Sequence, residues 1–122
     1  MSVYNPEEWV LLKVTYKEGD VSYRVFAGWT GGYLSGDSWK LSSGTVSITK
    51  ETVQKMSGSY EQLHMLQASG SKYVCMNMGE HSAPRGWRYM TLDSIIKDFQ
   101  SLGVKVELVP WDVDYEKLDL TK

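Results

Sequence analysis

The sequence predicts a mixed α+β fold: an antiparallel β-sheet or small barrel-like sheet of five to seven strands, with one C-terminal helix packed on it. Two observations support this prediction. Apolar and polar side chains alternate in several short segments up to Met78, which is the period of a half-buried strand. After Thr91 the apolar residues recur with the period of a helix. At 122 residues the chain has the size of one domain, placed at 1–110 and followed by an acidic tail at 111–122.

The first predicted element is a β-hairpin over residues 9–28. Alternation runs from Trp9 to Lys17, stops at an acidic turn with a central glycine at residues 18–20, and resumes at Val21. This pattern is typical of two half-buried antiparallel strands joined by a tight turn.

Two more short strands are predicted at residues 38–42 and 45–50. In the second, Val46 and Ile48 are expected on one face and hydroxyl-bearing residues on the other. Residues 51–56 fit either an extension of this strand or a single helical turn. A second hairpin then follows.

That second hairpin joins residues 60–67 to residues 72–78 across a turn with the sequence ASGS. The strand-rich part of the chain is thus expected to be mostly antiparallel.

One helix is predicted next, from an N-cap at Thr91 to a terminating glycine at Gly103, with Asp93 in its first turn. Its apolar stripe should lie on the sheet and contains Leu92, Ile95, Ile96, Phe99 and Leu102. A final strand is predicted at residues 104–108, before Pro110.

Composition narrows the classes of partner. The formal net charge is −2, and the residues after Pro110 account for all of it. A neutral body argues against binding to duplex nucleic acid, which needs a basic face. No apolar run has the length of a membrane span, and the N-terminus lacks the layout of a signal peptide. With a single cysteine, Cys75, no intrachain disulfide can form, and the expected location is the cytoplasm.

Few side chains suit catalysis or metal binding. The two histidines, His64 and His81, and the lone Cys75 do not have the spacing of a zinc site. The sequence also contains no GxSxG nucleophile motif and no GxxxxGK[ST] phosphate-binding loop. We therefore expect no catalytic residue, no metal and no cofactor. The alternative function of this class is an enzyme that hydrolyses a bound nucleotide.

The densest cluster of ligand-type residues is the run GWTGGYLSGDSWKLSSGTV at residues 28–46. Its five glycines let a ligand approach the backbone, while its aromatic rings offer flat faces and its hydroxyls can donate or accept hydrogen bonds. Such a mixture suits a planar polar ligand such as a nucleotide. The alternative is a pair of structural β-turns whose rings fill the core. The candidate ligand-binding residues of this run are Trp29, Tyr33, Asp37, Trp39, Lys40, Ser42 and Ser43.

A second candidate patch precedes the predicted helix. Arg85 and Arg88 flank Trp87 in a segment with the sequence SAPRGWRY. Arginine offers a planar fork to phosphate and also stacks on rings, so these three residues are added to the predicted ligand site. The alternative is that the arginines neutralise Glu80 and the acidic tail.

The segment YRVFAGWTGGYLSGDSWKLSSGTVSI resembles a family of small proteins encoded by tailed bacteriophages and prophages, in which GWxGG and then GDSWKLxSG precede two hairpin strands. The resemblance covers residues 9–108 and is specific in GDSWKLSSG at residues 36–44. Members are expected to end the strand after SGS in a Cys-His-Lys-like stretch. This chain has Cys75, Met76 and Asn77 there, so no role is carried over to that point.

By analogy with viral counter-defence proteins, the resemblance implies a sponge. Such a bacteriophage protein binds and sequesters a small nucleotide immune signal, of the cyclic dinucleotide or cyclic ADP-ribose type, without catalysis. Its expected location is then the cytoplasm of the host cell. A homo-oligomer is expected, with Trp111 and Tyr115 of the tail serving its assembly. The alternative is a protein-interaction module that inhibits a host defence enzyme through the same aromatic surface.

Overall fold

The computed structural model describes residues 2–29 and 38–120, which form eight strands in two four-stranded sheets, one α-helix and two short 3₁₀ helices. The mixed α+β class with a C-terminal helix is confirmed, but the single sheet of five to seven strands is replaced by two sheets. The elements are β1 (Val3–Tyr4), β2 (Glu8–Thr15), β3 (Val21–Trp29), β4 (Ser38–Leu41), β5 (Thr45–Lys55), β6 (Gly58–Gln67), β7 (Lys72–Asn77), α1 (Trp87–Ser101) and β8 (Lys105–Leu108), with 3₁₀ helices at Gly79–Ser82 and Tyr115–Lys117.

The first sheet has the strand order β1-β7-β6-β5, and the second has the order β4-β3-β2-β8. Both predicted hairpins are confirmed, as the antiparallel pairs β2–β3 and β6–β7. Residues 51–55 extend β5, so β5 and β6 form a third hairpin. Strand β1 pairs with β7 in parallel. Because that pairing joins distant parts of the chain, no local pattern indicates it.

A β-bulge separates two residues that were expected to share a face. The register between β5 and β6 shifts between Thr45 and Ser47, so one extra residue lies on β5. Val46 is therefore exposed, whereas Ile48 is buried. The prediction that both lie on one face is wrong because a bulge interrupts the alternation that it assumed.

The second sheet is the middle layer of the molecule. One face of β2 packs on the first sheet through Trp9 and Leu11, and the other packs on α1 through Val10, Leu12 and Val14. Strand β2 is thus buried on both faces, not half-buried as predicted. A strand covered by a sheet on one side and a helix on the other needs apolar residues at consecutive positions.

Helix α1 begins four residues before the predicted cap. Gly86 is its N-cap residue, with a φ of 63°, and Thr91 lies inside the helix, where its hydroxyl donates to the Trp87 carbonyl at 3.0 Å. Gly103 follows the C-terminus with a φ of 79°, as predicted. Leu102 lies beyond the last helical turn and is exposed instead of packing on the sheet. No helix among the described residues has the length and apolarity needed to span a membrane.

The described part of the tail packs on the body of the chain. Trp111 and Leu118 contact the core between the sheets, and Tyr115 is buried in it, with its hydroxyl donating to the Pro110 carbonyl at 3.1 Å. The Glu116 carboxylate accepts a hydrogen bond from the Lys50 backbone N–H of edge strand β5 at 3.0 Å. The Tyr115 side chain therefore serves the core of its own chain instead of the subunit contact expected above.

Candidate functional site

The predicted ligand residues on β3 and β4 lie on two different faces of the second sheet. Trp39 is paired with Gly28, and Lys40 is paired with Ala27. Because side chains alternate along a strand, Trp39 lies on the α1 side, whereas Lys40 and Trp29 lie on the side of the first sheet. The two tryptophan rings therefore do not form one stacking surface.

An open cleft of about 400 Å³, here called the edge cleft, lies where β1 and β4 border their sheets. The centre of the Tyr4 ring is 5.9 Å from that of Trp29, and the Lys40 Nζ atom is 5.4 Å from the centre of the Tyr4 ring. These distances are within the range of aromatic and cation–π contacts. The edge cleft is lined by Tyr4, Trp29, Ser38, Trp39 and Lys40.

The edge cleft combines ring faces with one positive charge. Within residues 2–29 and 38–120, no carboxylate lies within ion-pair distance of the Lys40 ammonium. The Trp29 Nε1 atom donates to the Asn5 carbonyl at 3.0 Å, which fixes the plane of the indole. The volume is in the range of pockets that hold small organic molecules.

Arg85 and Arg88 are engaged by a carboxylate that the sequence did not indicate. The Arg88 Nε atom donates to Glu8 Oε1 at 2.7 Å, the Arg85 backbone N–H donates to the same oxygen at 3.1 Å, and Arg85 Nε lies 3.3 Å from Glu8 Oε2. Glu8 and Arg88 are only 5% and 8% exposed. Among the described residues, the carboxylate that both arginines contact is therefore that of Glu8, and the ion pairs seen there do not involve Glu80. The cluster ties the start of α1 to β2.

Opposing effects set the pKa of Glu8. Burial alone would raise it, but the hydrogen bonds from Arg88 and from the Arg85 backbone N–H, together with the charges of both arginines, outweigh burial and leave the pKa below its usual value of 4.5. Glu8 is therefore ionised at neutral pH and pairs with the buried Arg88 guanidinium.

Gly28 allows Arg88 to reach Glu8. A Cβ atom at Gly28 would lie 2.6 Å from Arg88 Cδ, and Arg88 is held by Glu8 and by the Trp29 carbonyl, to which its Nη1 donates at 3.2 Å. We expect Gly28→Ala to lower the free energy of unfolding by about 1–3 kcal/mol, measured by urea denaturation, because the crowded side chain cannot move aside. In an Arg88→Ala background the same change should cost much less; an equal cost would show that the clash is not with Arg88.

The two predicted patches meet in a groove between β4 and α1, here called the helix groove, of about 550 Å³. Trp39 and Trp87 are 41% and 42% exposed there, and Met90 is 71% exposed. The Trp39 ring stacks on Phe26, with centroids 5.6 Å apart and planes 19° apart. The Arg88 guanidinium lies 5.9 Å from the centre of the Trp87 ring. The lining residues are Trp39, Trp87, Met90, Thr91, Ser94, Ile95 and Asp98.

The serines of the predicted site stabilise the turn after β4. Ser42 is buried, and its Oγ accepts a hydrogen bond from the Val25 backbone N–H at 2.8 Å. Ser43 is exposed, and its Oγ accepts from the Ser69 backbone N–H at 3.2 Å. Neither serine lines the edge cleft. The predicted ligand residues Tyr33 and Asp37 lie outside the described residues.

Two residues of these sites, Tyr4 and Glu8, were not among the predicted site residues. Tyr4 enters the edge cleft through the parallel β1–β7 pairing, for which the sequence carries no signal. For Glu8 the sequence does contain a signal. Glu8 shares a strand face with the apolar Val10 and Leu12, and it is therefore buried. A buried carboxylate requires a charged partner, and this chain has only three arginines.

The remaining reactive residues lie apart from both cavities. His64 is on β6, with Nε2 3.3 Å from Glu51 Oε1, and His81 is in the 3₁₀ helix that precedes α1. Cys75 is fully buried, and burial raises the pKa of its thiol. In the part of the chain that the structure describes, no three His, Cys, Asp or Glu side chains gather as a metal site would require.

Compared with protein-family models, with curated protein sequences and with solved structures, the chain matches none.

Proposed function

We propose that the protein is a non-catalytic binding protein that sequesters a small nucleotide-like ligand in the edge cleft. The observation that carries the proposal is the combination of the Tyr4 and Trp29 rings with the ammonium of Lys40 in one open cleft. The resemblance to bacteriophage proteins adds the biological setting: capture of a cyclic dinucleotide or cyclic ADP-ribose signal in the cytoplasm of an infected cell.

The base and the phosphate of a nucleotide each have a matching group in the edge cleft. Bases of any kind stack on aromatic side chains, at about 1–3 kcal/mol per base. The Lys40 ammonium and the Ser38 hydroxyl are suited to donate to a phosphate oxygen, and a charged donor gives the stronger hydrogen bond. The five described lining residues include no carboxylate and no imidazole to activate a water molecule, which favours sequestration over hydrolysis.

Lys40→Gln tests this proposal. In isothermal titration with cyclic di-AMP, cyclic di-GMP and cyclic ADP-ribose, we expect at least one to bind the wild-type protein and its affinity to fall about tenfold or more in the variant, because the charged donor is lost. The matched control is Lys105→Gln, a lysine on β8 at the opposite edge of the second sheet, which should leave the affinity unchanged. Absence of heat with all three ligands would contradict the proposal.

A second candidate, a protein-interaction module that inhibits a host defence enzyme, is favoured by the helix groove. Trp39, Trp87 and Met90 present large apolar side chains there, and exposed tryptophans are frequent hot spots of protein interfaces. The two candidate functions predict different effects of the same substitutions. A host protein bound in this groove would be lost with Trp87→Ser and retained with Lys40→Gln, whereas loss of nucleotide binding in Lys40→Gln alone favours the first candidate.

A further inference from the structure

We infer that the edge cleft selects a phosphodiester, with one negative charge per phosphate, over a terminal phosphate monoester or polyphosphate. This inference rests on the proposed function and names the class of ligand. Its basis is the number and placement of cations around the edge cleft.

Lys40 is the only cation among the five described residues that line the edge cleft. A phosphodiester carries a single negative charge at neutral pH. A phosphate monoester carries about −1.5 to −2, because its second pKa is near 6. One ammonium therefore neutralises one diester but leaves a monoester with uncompensated negative charge beside apolar rings, where desolvation of an unpaired charge is costly.

The nearby arginines are already in use. Arg88 Nε donates to Glu8 Oε1 at 2.7 Å and its Nη1 donates to the Trp29 carbonyl at 3.2 Å, on the α1 side of the second sheet. Arg85 is bound to the same carboxylate through its backbone N–H and its Nε. Neither arginine lines the edge cleft.

The segment that joins Trp29 to Ser38 supplies no further cation. Both of these residues line the edge cleft, and the eight residues between them, TGGYLSGD, include one acid and no lysine, arginine or histidine. Whatever the position of this segment, its side chains add no positive charge that could compensate a second charge on the phosphate beside Lys40. Among the described lining residues and the side chains of this segment, Lys40 is thus the one cation at the edge cleft.

The distance between the ammonium and the ring also fits a compact ligand. Lys40 Nζ lies 5.4 Å from the centre of the Tyr4 ring, which lies 5.9 Å from that of Trp29. A phosphate at Lys40 and a stacked base are therefore within one nucleotide of each other. A polyphosphate tail would extend beyond Lys40, the one cation among the described residues that line the edge cleft.

Two matched pairs of ligands test the inference by isothermal titration: cyclic di-AMP against linear pApA, and cyclic AMP against AMP. Within each pair the bases are the same and the linear form has a terminal monoester. We expect the cyclic form to bind about threefold to tenfold more tightly. A linear form that binds as tightly or more tightly would overturn the inference and leave the proposed function intact. Absence of binding by all four ligands, and by cyclic di-GMP and cyclic ADP-ribose, would overturn both.

A pH series separates the effect of the ligand's charge from the effect of its cyclic form. Between pH 7.5 and 5.5 the monoester of AMP takes up a proton and approaches a single charge. Its affinity should therefore rise about threefold, while that of cyclic AMP, whose charge is constant, should not change. If these two ligands bind too weakly to measure, pApA and cyclic di-AMP serve as the pair. An affinity of the linear ligand that is constant or falls over this range would contradict selection by charge.

Discussion

Glu8→Gln is expected to lower the free energy of unfolding by roughly 3 kcal/mol or more. Glutamine has almost the same shape as glutamate but no charge, so the buried Arg88 guanidinium loses its ion pair with a carboxylate at 2.7 Å. Breaking a buried pair by removing one partner is strongly destabilising, because the other charge is left in a low dielectric. Urea denaturation at pH 7 measures the difference.

The control for this change is Glu7→Gln. Glu7 is the preceding residue and is exposed, so the same chemical change should alter stability by less than about 0.5 kcal/mol. Equal effects of the two substitutions would show that the ion pairs of Glu8 contribute no more than a surface charge does.

The stability that the Glu8 carboxylate contributes should depend on pH. Because the folded-state pKa of Glu8 is lowered from 4.5, its contribution is fully present above that value and is lost as the pH falls through the folded-state pKa. The difference in stability between the wild-type protein and Glu8→Gln should therefore be largest at neutral pH and decrease in acid below about pH 4.5. A difference that stays constant from pH 7 to pH 3 would contradict this assignment of the pKa.

The hairpins could be predicted from the sequence because their contacts are local. In both β2–β3 and β6–β7, a short turn fixes which residues face each other. The division into two sheets was not predictable in this way. It depends on packing between distant segments, and strand alternation indicates that a face is buried but not what covers it.

The prediction placed the start of α1 too late in the chain for a related reason. Thr91 has the chemistry of a cap, but the chain turns at Gly86, and the residues that follow are already helical. Trp87 and Arg88 thus belong to the first turn of α1. Their positions are determined by the Arg88 contact with Glu8, a residue 80 positions earlier in the chain.

The candidate site was predictable in composition but not in arrangement. The composition of the glycine-rich run singles out Trp29, Trp39 and Lys40, and all three line the edge cleft. Which side each of them faces depends on the register between β3 and β4, and a connection of eight residues does not fix that register. The third aromatic residue of the edge cleft, Tyr4, lies on a strand of two residues, too short to show any alternation.

Trp9→Ala is expected to lower the free energy of unfolding by about 3–5 kcal/mol. Trp9 is fully buried between the sheets, where its ring meets that of Trp111 edge-on at 4.9 Å and lies 6.0 Å from that of Tyr115. Its Nε1 atom donates to the Met76 carbonyl at 2.8 Å, which joins the second sheet to the first. Alanine would leave a large cavity and remove this cross-sheet hydrogen bond at the same time.

The Trp9→Ala substitution should destabilise the packing of the tail as well as the core. Because Trp111 and Tyr115 pack against the Trp9 ring, its removal should expose Tyr115 to chymotrypsin under native conditions, whereas the wild-type protein should resist cleavage there.

Trp9→Phe keeps a ring in place and should cost less, about 1–2 kcal/mol, including the lost hydrogen bond. Trp39→Ala removes an equally large but half-exposed side chain and serves as the control. If Trp9→Ala cost no more than Trp39→Ala, the packing of the tail on Trp9 would not be a main source of stability.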